Sequence, residues 1–250
     1  MPELRVLIAA AGSGTRAGLP YPKTLHPVQG RPILVRLIEL LREYDAVPAI
    51  VVSPSGREQV KQCLERYGLA ADLVEQDAPT GMGDAILCFR KVADWRRTQD
   101  VMAVWGDIPL LQPETVAAMV AAHRKGGNDF TFASRHVDAA YTLVSRDESG
   151  RVVDLIETRE AGIEPPAGER DIGLFLFRAE PVLDLLDLRL EGAFGRSTGE
   201  HGFLYIVRHL AARGFKVDAV PVATELDLVS LNRLSDLSGV EDGGGPDDRP

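Results

Sequence analysis

Residues 5–10, Arg-Val-Leu-Ile-Ala-Ala, form a short β-rich run that opens directly onto Gly12 and Gly14, and this junction restricts the fold more than any other feature of the chain. An almost uncharged strand belongs in a parallel sheet whose two faces are covered by helices. The loop beyond it is long. Pro20 and Pro22 block a helix, and regular apolar spacing resumes only after Arg31-Pro32, where Ile33, Leu34, Leu37, Ile38, Leu40 and Leu41 recur at helical intervals up to Glu43. Open α/β sheets bind ligands beyond the carboxyl ends of their strands, so the position of this loop marks it as a site.

The rest of the first half alternates. A strand over 49–52, a polar break over 53–56 and a helix over 57–67 with Val60 and Leu64 on one face come first. A strand over 72–75, a tight loop over 81–83, a helix over 85–93, a strand over 101–104 and a helix over 114–123 follow. This alternation predicts a parallel sheet between two helical layers. After Phe130 the rhythm changes: strands over 130–133, 141–145, 152–156 and 172–177 succeed one another with no long helix between them. That half is expected to be strand-rich and partly antiparallel, with a Pro/Gly loop over 162–168 and helices over 180–190 and 204–213. Residues 241–250 hold three consecutive glycines, four acidic residues and no apolar side chain, and are expected to form a disordered acidic tail.

Charge and composition exclude several functions. With 28 Lys and Arg against 37 Asp and Glu, the net charge of −9 disfavours a nucleic-acid partner. Uncharged stretches fall well short of the roughly 20 apolar residues that span a bilayer. Nor does the N-terminus carry a basic segment followed by an apolar one, so a cytoplasmic protein without membrane contact is expected. Cys63 and Cys88 lie in helix-like patterns and outside any CxxC pair, which argues against disulfide frameworks and zinc knuckles. The histidines, His26, His123, His136, His201 and His209, show no metal-ligand spacing and read as surface or core residues.

Two nucleotide motifs are near matches that fail. Gly12-x-Gly14-x-x-Ala17 fits the dinucleotide fingerprint in letters, but that motif needs a helix opening on the loop, which Pro20 and Pro22 forbid. The stretch from Gly18 to Lys23-Thr24 lacks the glycine before the lysine and is one residue short of a Walker loop. What is left is a loop of small residues whose backbone N–H groups can turn toward phosphate oxygens, with Arg16 and Lys23 on either side. A plain strand-to-helix turn needs neither cation.

The segments LIAAAGSGTR and PKTLHPVQGRPIL resemble the signature of the nucleotidyltransferase family, the NTP-transferase or MobA-like proteins. The likeness is greatest to the uridyltransferase domain of bacterial N-acetylglucosamine-1-phosphate uridyltransferases. Residues 76–85, QDAPTGMGDA, are similar to that family's base-recognition segment, and VWGDIPL, residues 104–110, to its metal loop. The resemblance implies one Rossmann-like three-layer α/β/α domain over 1–240, with a mostly parallel mixed sheet, a nucleotide-binding half over about 1–128 and a strand-rich acceptor-binding half over 129–240. Its partners would be a nucleoside triphosphate and a phosphorylated small-molecule acceptor, its cofactor Mg²⁺, and a homo-oligomer is allowed. Since no hexapeptide repeats follow, acetyl-CoA chemistry is not expected.

Roles come with the resemblance. Ala10, Ala11, Gly12, Gly14 and Thr15 would meet the nucleotide, Arg16 would hold the β and γ phosphates, and Lys23 would sit near the α phosphate. Gln76 and Gly81 would read the base, with Met82 and Gly83 also binding the nucleotide. Asp107, after a strand, suits Mg²⁺, which takes one or two protein oxygens and fills its shell with substrate phosphate. Asn232, in LNRLSDL, would be the second ligand, with Asp227 as the fallback. Asp107, Thr142, Glu157 and Asp171 would face the acceptor, and Arg16, Lys23 and Asp107 would be catalytic. The acceptor side departs from the family: Tyr141-Thr142-Leu143 replaces Y-G-R, Asp171-Ile172-Gly173 replaces N-T-G, and residues 200–205, EHGFLY, replace E-Y-Y-L-T-D. The implied reaction is transfer of a nucleotidyl group, UMP from UTP first, to a sugar-1-phosphate such as N-acetylglucosamine-1-phosphate. Alternatives are a cytidylyl- or guanylyltransferase acting on a molybdopterin, polyol phosphate or phosphonate, and a nucleotide-binding regulator without catalysis.

Overall fold

A computed structural model describes residues 3–12, 14 and 18–237. The acidic tail expected over 241–250 lies outside the described residues. Strand β1 (Glu3–Ala9) leads into the long loop, which contains a 3₁₀ turn (Lys23–Leu25) and a small hairpin of β2 (Pro27–Val28) and β3 (Arg31–Pro32) before α1 (Ile33–Leu41). Then come β4 (Ala49–Val52), α2 (Arg57–Tyr67), β5 (Asp72–Glu75), α3 (Met82–Leu87), β6 (Thr98–Trp105) and α4 (Pro113–Gly126). The second half consists of β7 (Phe130–Val137), β8 (Thr142–Arg146), β9 (Val152–Glu157), α5 (Thr158–Ala161), β10 (Gly168–Arg178), α6 (Ala179–Asp187), α7 (Ile206–Ala212) and β11 (Val217–Val220).

Seven strands form the central sheet in the order β11-β7-β10-β6-β1-β4-β5. β1 pairs in parallel with β4 and β6, β4 with β5 and β7 with β11, while β10 runs antiparallel between β6 and β7. The sheet is thus mixed and mainly parallel, as expected, with β8 and β9 as a separate hairpin. Alternation along β1 divides the core. Val6 and Ile8 join Leu34, Leu37, Ile38 and Leu41 of α1 on one face. Leu7 joins Ile86 of α3 and Leu183 of α6 on the other. Phe130, Phe175, Phe177 and Phe203 pack ring against ring within the second cluster, Phe130 on Phe177 stacked and Phe175 on Phe203 edge to face, and Trp105 leans on Phe175 at 4.9 Å between ring centroids.

Three local expectations need correction. β11 was not expected, because Val-Asp-Ala-Val is too short to establish a period and becomes a strand only by adding to the exposed edge of β7. The loop expected over 81–83 is the first turn of α3, since the Gly81 carbonyl accepts the Ala85 N–H at 3.1 Å. The helix expected over 85–93 therefore starts earlier and tightens into a 3₁₀ turn over Cys88–Lys91. Among the described residues no helix is long and apolar enough to cross a membrane.

Candidate active site

The carboxyl ends of β1, β4, β5 and β6 border a cleft of about 650 Å³. Ala11, Gly12, Gly14 and Lys23 line it from the first loop, Gln76, Gly81 and Met82 from the segment after β5, and Trp105 and Asp107 from the end of β6. Asn232 joins from the far end of the chain. Thr15 and Arg16 lie outside the described residues. Ala10 is buried, gives its N–H to the Val51 carbonyl at 2.9 Å, and is not among the lining residues. Gly83 is also set back from the cleft, with its N–H donated to the His201 carbonyl at 2.9 Å.

Lys23 reaches the cleft because Pro22 ends the extended loop and starts the 3₁₀ turn. Gly12 leaves space for its stem, for a Cβ on residue 12 would stand 3.1 Å from Lys23 Cε. The ammonium donates to Asp107 Oδ2 in an ion pair across the cleft. Asp107 is fixed in turn by its backbone: the preceding Gly106 N–H bonds the Ala9 carbonyl at 2.9 Å, and the Asp107 carbonyl accepts the Leu231 N–H at 2.8 Å. That last bond brings Asn232 alongside. The Asn232 amide nitrogen donates to Ser230 Oγ, so its amide oxygen is the atom available as a ligand.

These groups suit a small divalent cation. A carboxylate and an amide oxygen share one cleft, and the cationic end of Lys23 already rests on the carboxylate. Asp227 does not fit that role. It is buried, and its oxygens accept from the Gln112 N–H, the Thr115 hydroxyl, and the N–H and hydroxyl of Thr224, all within 2.8 Å. Oδ2 takes three of these bonds and Oδ1 the fourth, and together they tie the 224–228 turn to the start of α4.

A second cleft of about 570 Å³ adjoins the first and shares Met82 and Glu200 with it. Glu157, at the end of β9, faces this one. Burial pushes the Glu157 carboxyl above its ordinary value, the charges of Glu160, Asp171 and Glu200 add to the effect, and Arg159 opposes them. An acid held in so unfavourable a setting destabilises the folded protein wherever it is ionised. Glu157→Gln is therefore expected to melt higher than the parent at pH 7. The gain should fade as pH falls through the raised folded value toward the ordinary glutamate value, and be gone well below about 4, where the glutamate is neutral in both states. A pH series of thermal denaturation curves tests this, and a variant no more stable at pH 7 contradicts it.

Thr142 and Asp171 line neither cleft. The Thr142 hydroxyl donates to one Asp171 oxygen and the Gly173 N–H to the other at 2.8 Å, so this pair braces the β10 bulge. The fold also delivers residues that the sequence motifs do not single out. Ser53 and Ser55 line the first cleft because β4 neighbours β1, and Trp105 lines it because it ends β6. Gln76 is buried and donates its amide N–H to the Gly81 carbonyl at 2.9 Å, which shapes the base-side loop.

The family described as the MobA-like NTP transferase domain matches residues 6–201. The bifunctional protein GlmU of Leifsonia xyli is 30% identical over 240 residues, covering 94% of this chain and 49% of that protein. GlmU of Caldanaerobacter subterraneus is 30% identical over 247 residues, covering 96% and 51%. The chain thus spans about half the length of the curated relatives it matches. A Bacillus anthracis protein described as a candidate glucose-1-phosphate thymidylyltransferase, crystallised with sucrose, superposes with a TM-score of 0.73 at 15% identity, over 99% of this chain and 97% of that one.

Proposed function

The chain belongs to the MobA-like NTP transferase family, and from that premise we propose that it transfers UMP from UTP to a sugar-1-phosphate such as N-acetylglucosamine-1-phosphate, releasing pyrophosphate. The observation that carries this reading is the meeting of Gly12, Lys23, Gln76, Asp107 and Asn232 in one cleft, with a second cleft opening beside it at Glu200. The half up to residue 128 would bind the nucleotide, and residues 129–240 would supply most of the acceptor wall.

In the reaction an oxygen of the acceptor phosphate attacks the α phosphorus in line, and the bond from that phosphorus to the pyrophosphate oxygen breaks. The attacking phosphate is already ionised near neutral pH, so no general base is needed. Positioning and charge stabilisation carry the rate. Backbone at Ala11, Gly12 and Gly14 would cradle the phosphates while Lys23 leans toward the developing charge. Gln76 and Gly81 would present an amide and a backbone edge to a pyrimidine. Asp107 and Asn232 would hold Mg²⁺, which when bound neutralises triphosphate charge and polarises the phosphorus under attack. Glu157 would take hydroxyls of the acceptor.

A second reading has one observation in its favour. Thr142 and Asp171 are turned on each other and away from the second cleft, which weakens the match to an N-acetylhexosamine and leaves room for a cytidylyl- or guanylyltransferase with a different phosphorylated acceptor. Pyrophosphate release, measured with Mg²⁺ over UTP, CTP, GTP, dTTP and ATP crossed with sugar-1-phosphates and other phosphorylated acceptors, separates these. Release with UTP and a sugar-1-phosphate is expected. Release confined to another pair replaces the first reading with the second, and nucleotide binding without release on any acceptor points to a regulator.

A further inference from the structure

The segment 200–202 passes between the two clefts, and His201 in it is fully buried. Its Nδ1 lies 2.8 Å from Asp84 Oδ1 and its Nε2 lies 3.2 Å from the Tyr205 hydroxyl. A carboxylate only accepts, so Nδ1 carries the proton. Burial works against the Asp84 charge, but hydrogen bonds from His201 and Thr80 and the charges of His201 and Arg189 outweigh it and hold the carboxyl below its ordinary value. Burial pushes the Tyr205 hydroxyl up to about 12, so it stays protonated and neutral.

The backbone of the same residue grips the base-side loop. The His201 N–H donates to the Thr80 carbonyl at 2.7 Å, and its carbonyl accepts the Gly83 N–H at 2.9 Å. The approach is so close that a Cβ on Gly81 would lie 2.3 Å from the His201 carbonyl oxygen. The Gly81 carbonyl is the acceptor for Gln76. A continuous set of contacts therefore runs from the Tyr205 hydroxyl through the His201 ring and backbone to Gly81 and Gln76, yet His201 itself does not line the nucleotide cleft.

We infer that His201, anchored between Asp84 and Tyr205, is a positioning residue that sets the conformation of the 76–83 loop and hence the affinity for the nucleotide from outside the nucleotide cleft. This rests on the nucleotidyltransferase reading. Without the ring, the backbone at 201 loses its anchor and the loop pays the ordering cost when nucleotide binds.

The test is the dissociation constant for UTP, with CTP and GTP in parallel, by titration calorimetry without acceptor, on protein whose melting curve shows it folded. His201→Ala is expected to weaken binding about tenfold. Tyr205→Phe, which keeps the ring packing, should weaken it less. His201→Asn places an amide nitrogen near the Nδ1 position, restores the bond to Asp84 and should recover most of the affinity. In turnover, the loss should appear in the nucleotide KM with kcat within about twofold, a split that a merely loosened fold does not give. Unchanged nucleotide affinity in His201→Ala and Tyr205→Phe overturns the inference. If His201→Ala does not fold, Tyr205→Phe and His201→Asn decide it on the same readout. A parent protein that binds no nucleoside triphosphate overturns the nucleotidyltransferase reading itself, and the inference falls with it.

Discussion

Asp107→Ala is expected to lower turnover by about 10³-fold, a loss of the size seen when one preorganised charge-stabilising group is removed from a reacting centre. The carboxylate pairs with Lys23 in the cleft that Asn232 also lines, so its removal would take away the principal proposed metal ligand and leave the ammonium unopposed. The fold should survive. The Asp107 backbone carbonyl still accepts the Leu231 N–H, and the Lys23 side chain is 26% exposed, so water can solvate the ammonium that loses its partner. Asp107→Asn keeps the shape and removes the charge, and it should lose nearly as much rate. Both variants should bind nucleotide in the absence of Mg²⁺ at least as well as the parent, because Lys23 is then free to turn to phosphate. Pyrophosphate release and metal-free nucleotide titration measure the two effects. A near-normal Mg²⁺-dependent rate in Asp107→Ala would sink the metal assignment.

The parts of this architecture that depend on short stretches of chain were legible from sequence. Pro20, Pro22 and the apolar spacing after Arg31 are local facts, and they place the long loop and α1 to within two residues of the observed Ile33–Leu41. Gln76, Asp107 and Asn232 stand out in compact motifs, and the sheet order carries them to one cleft. What escaped is decided by partners distant in the chain. The Gly81-Met82-Gly83 stretch reads as a loop because glycine is a poor helix former. It starts a helix because the backbone of 201–202 packs where side chains would otherwise stand. No spacing rule joins Asp84 to His201, 117 residues later, and the ring reads as an ordinary core histidine until its two partners are seen. On the acceptor side, Thr142 and Asp171 stand in motifs whose key letters differ from the family's, and the fold turns them toward each other.

The same geometry yields a second strong effect at Lys23. Lys23→Met keeps the aliphatic stem in the space beside Gly12 and deletes the charge, and turnover is expected to fall by about 10²- to 10³-fold. Thr24, the buried residue of the same 3₁₀ turn, is left untouched, so the fold should survive and the cause is chemical. Because the ammonium would stabilise charge that builds up only as the pyrophosphate bond breaks, the loss should fall mainly on kcat, with nucleotide KM moved much less. Lys23→Arg should not rescue it, as the planar guanidinium cannot reproduce a compact point charge. The two sites act through one arrangement of charge, so their effects should not multiply. The double variant Lys23→Met with Asp107→Ala is expected to be no more than about tenfold slower than Asp107→Ala alone, since a lysine without its carboxylate and metal partner has already lost its alignment. A double variant slowed by the full product, about 10⁵- to 10⁶-fold, would mean that Lys23 and Asp107 work independently and that their ion pair is incidental to the chemistry.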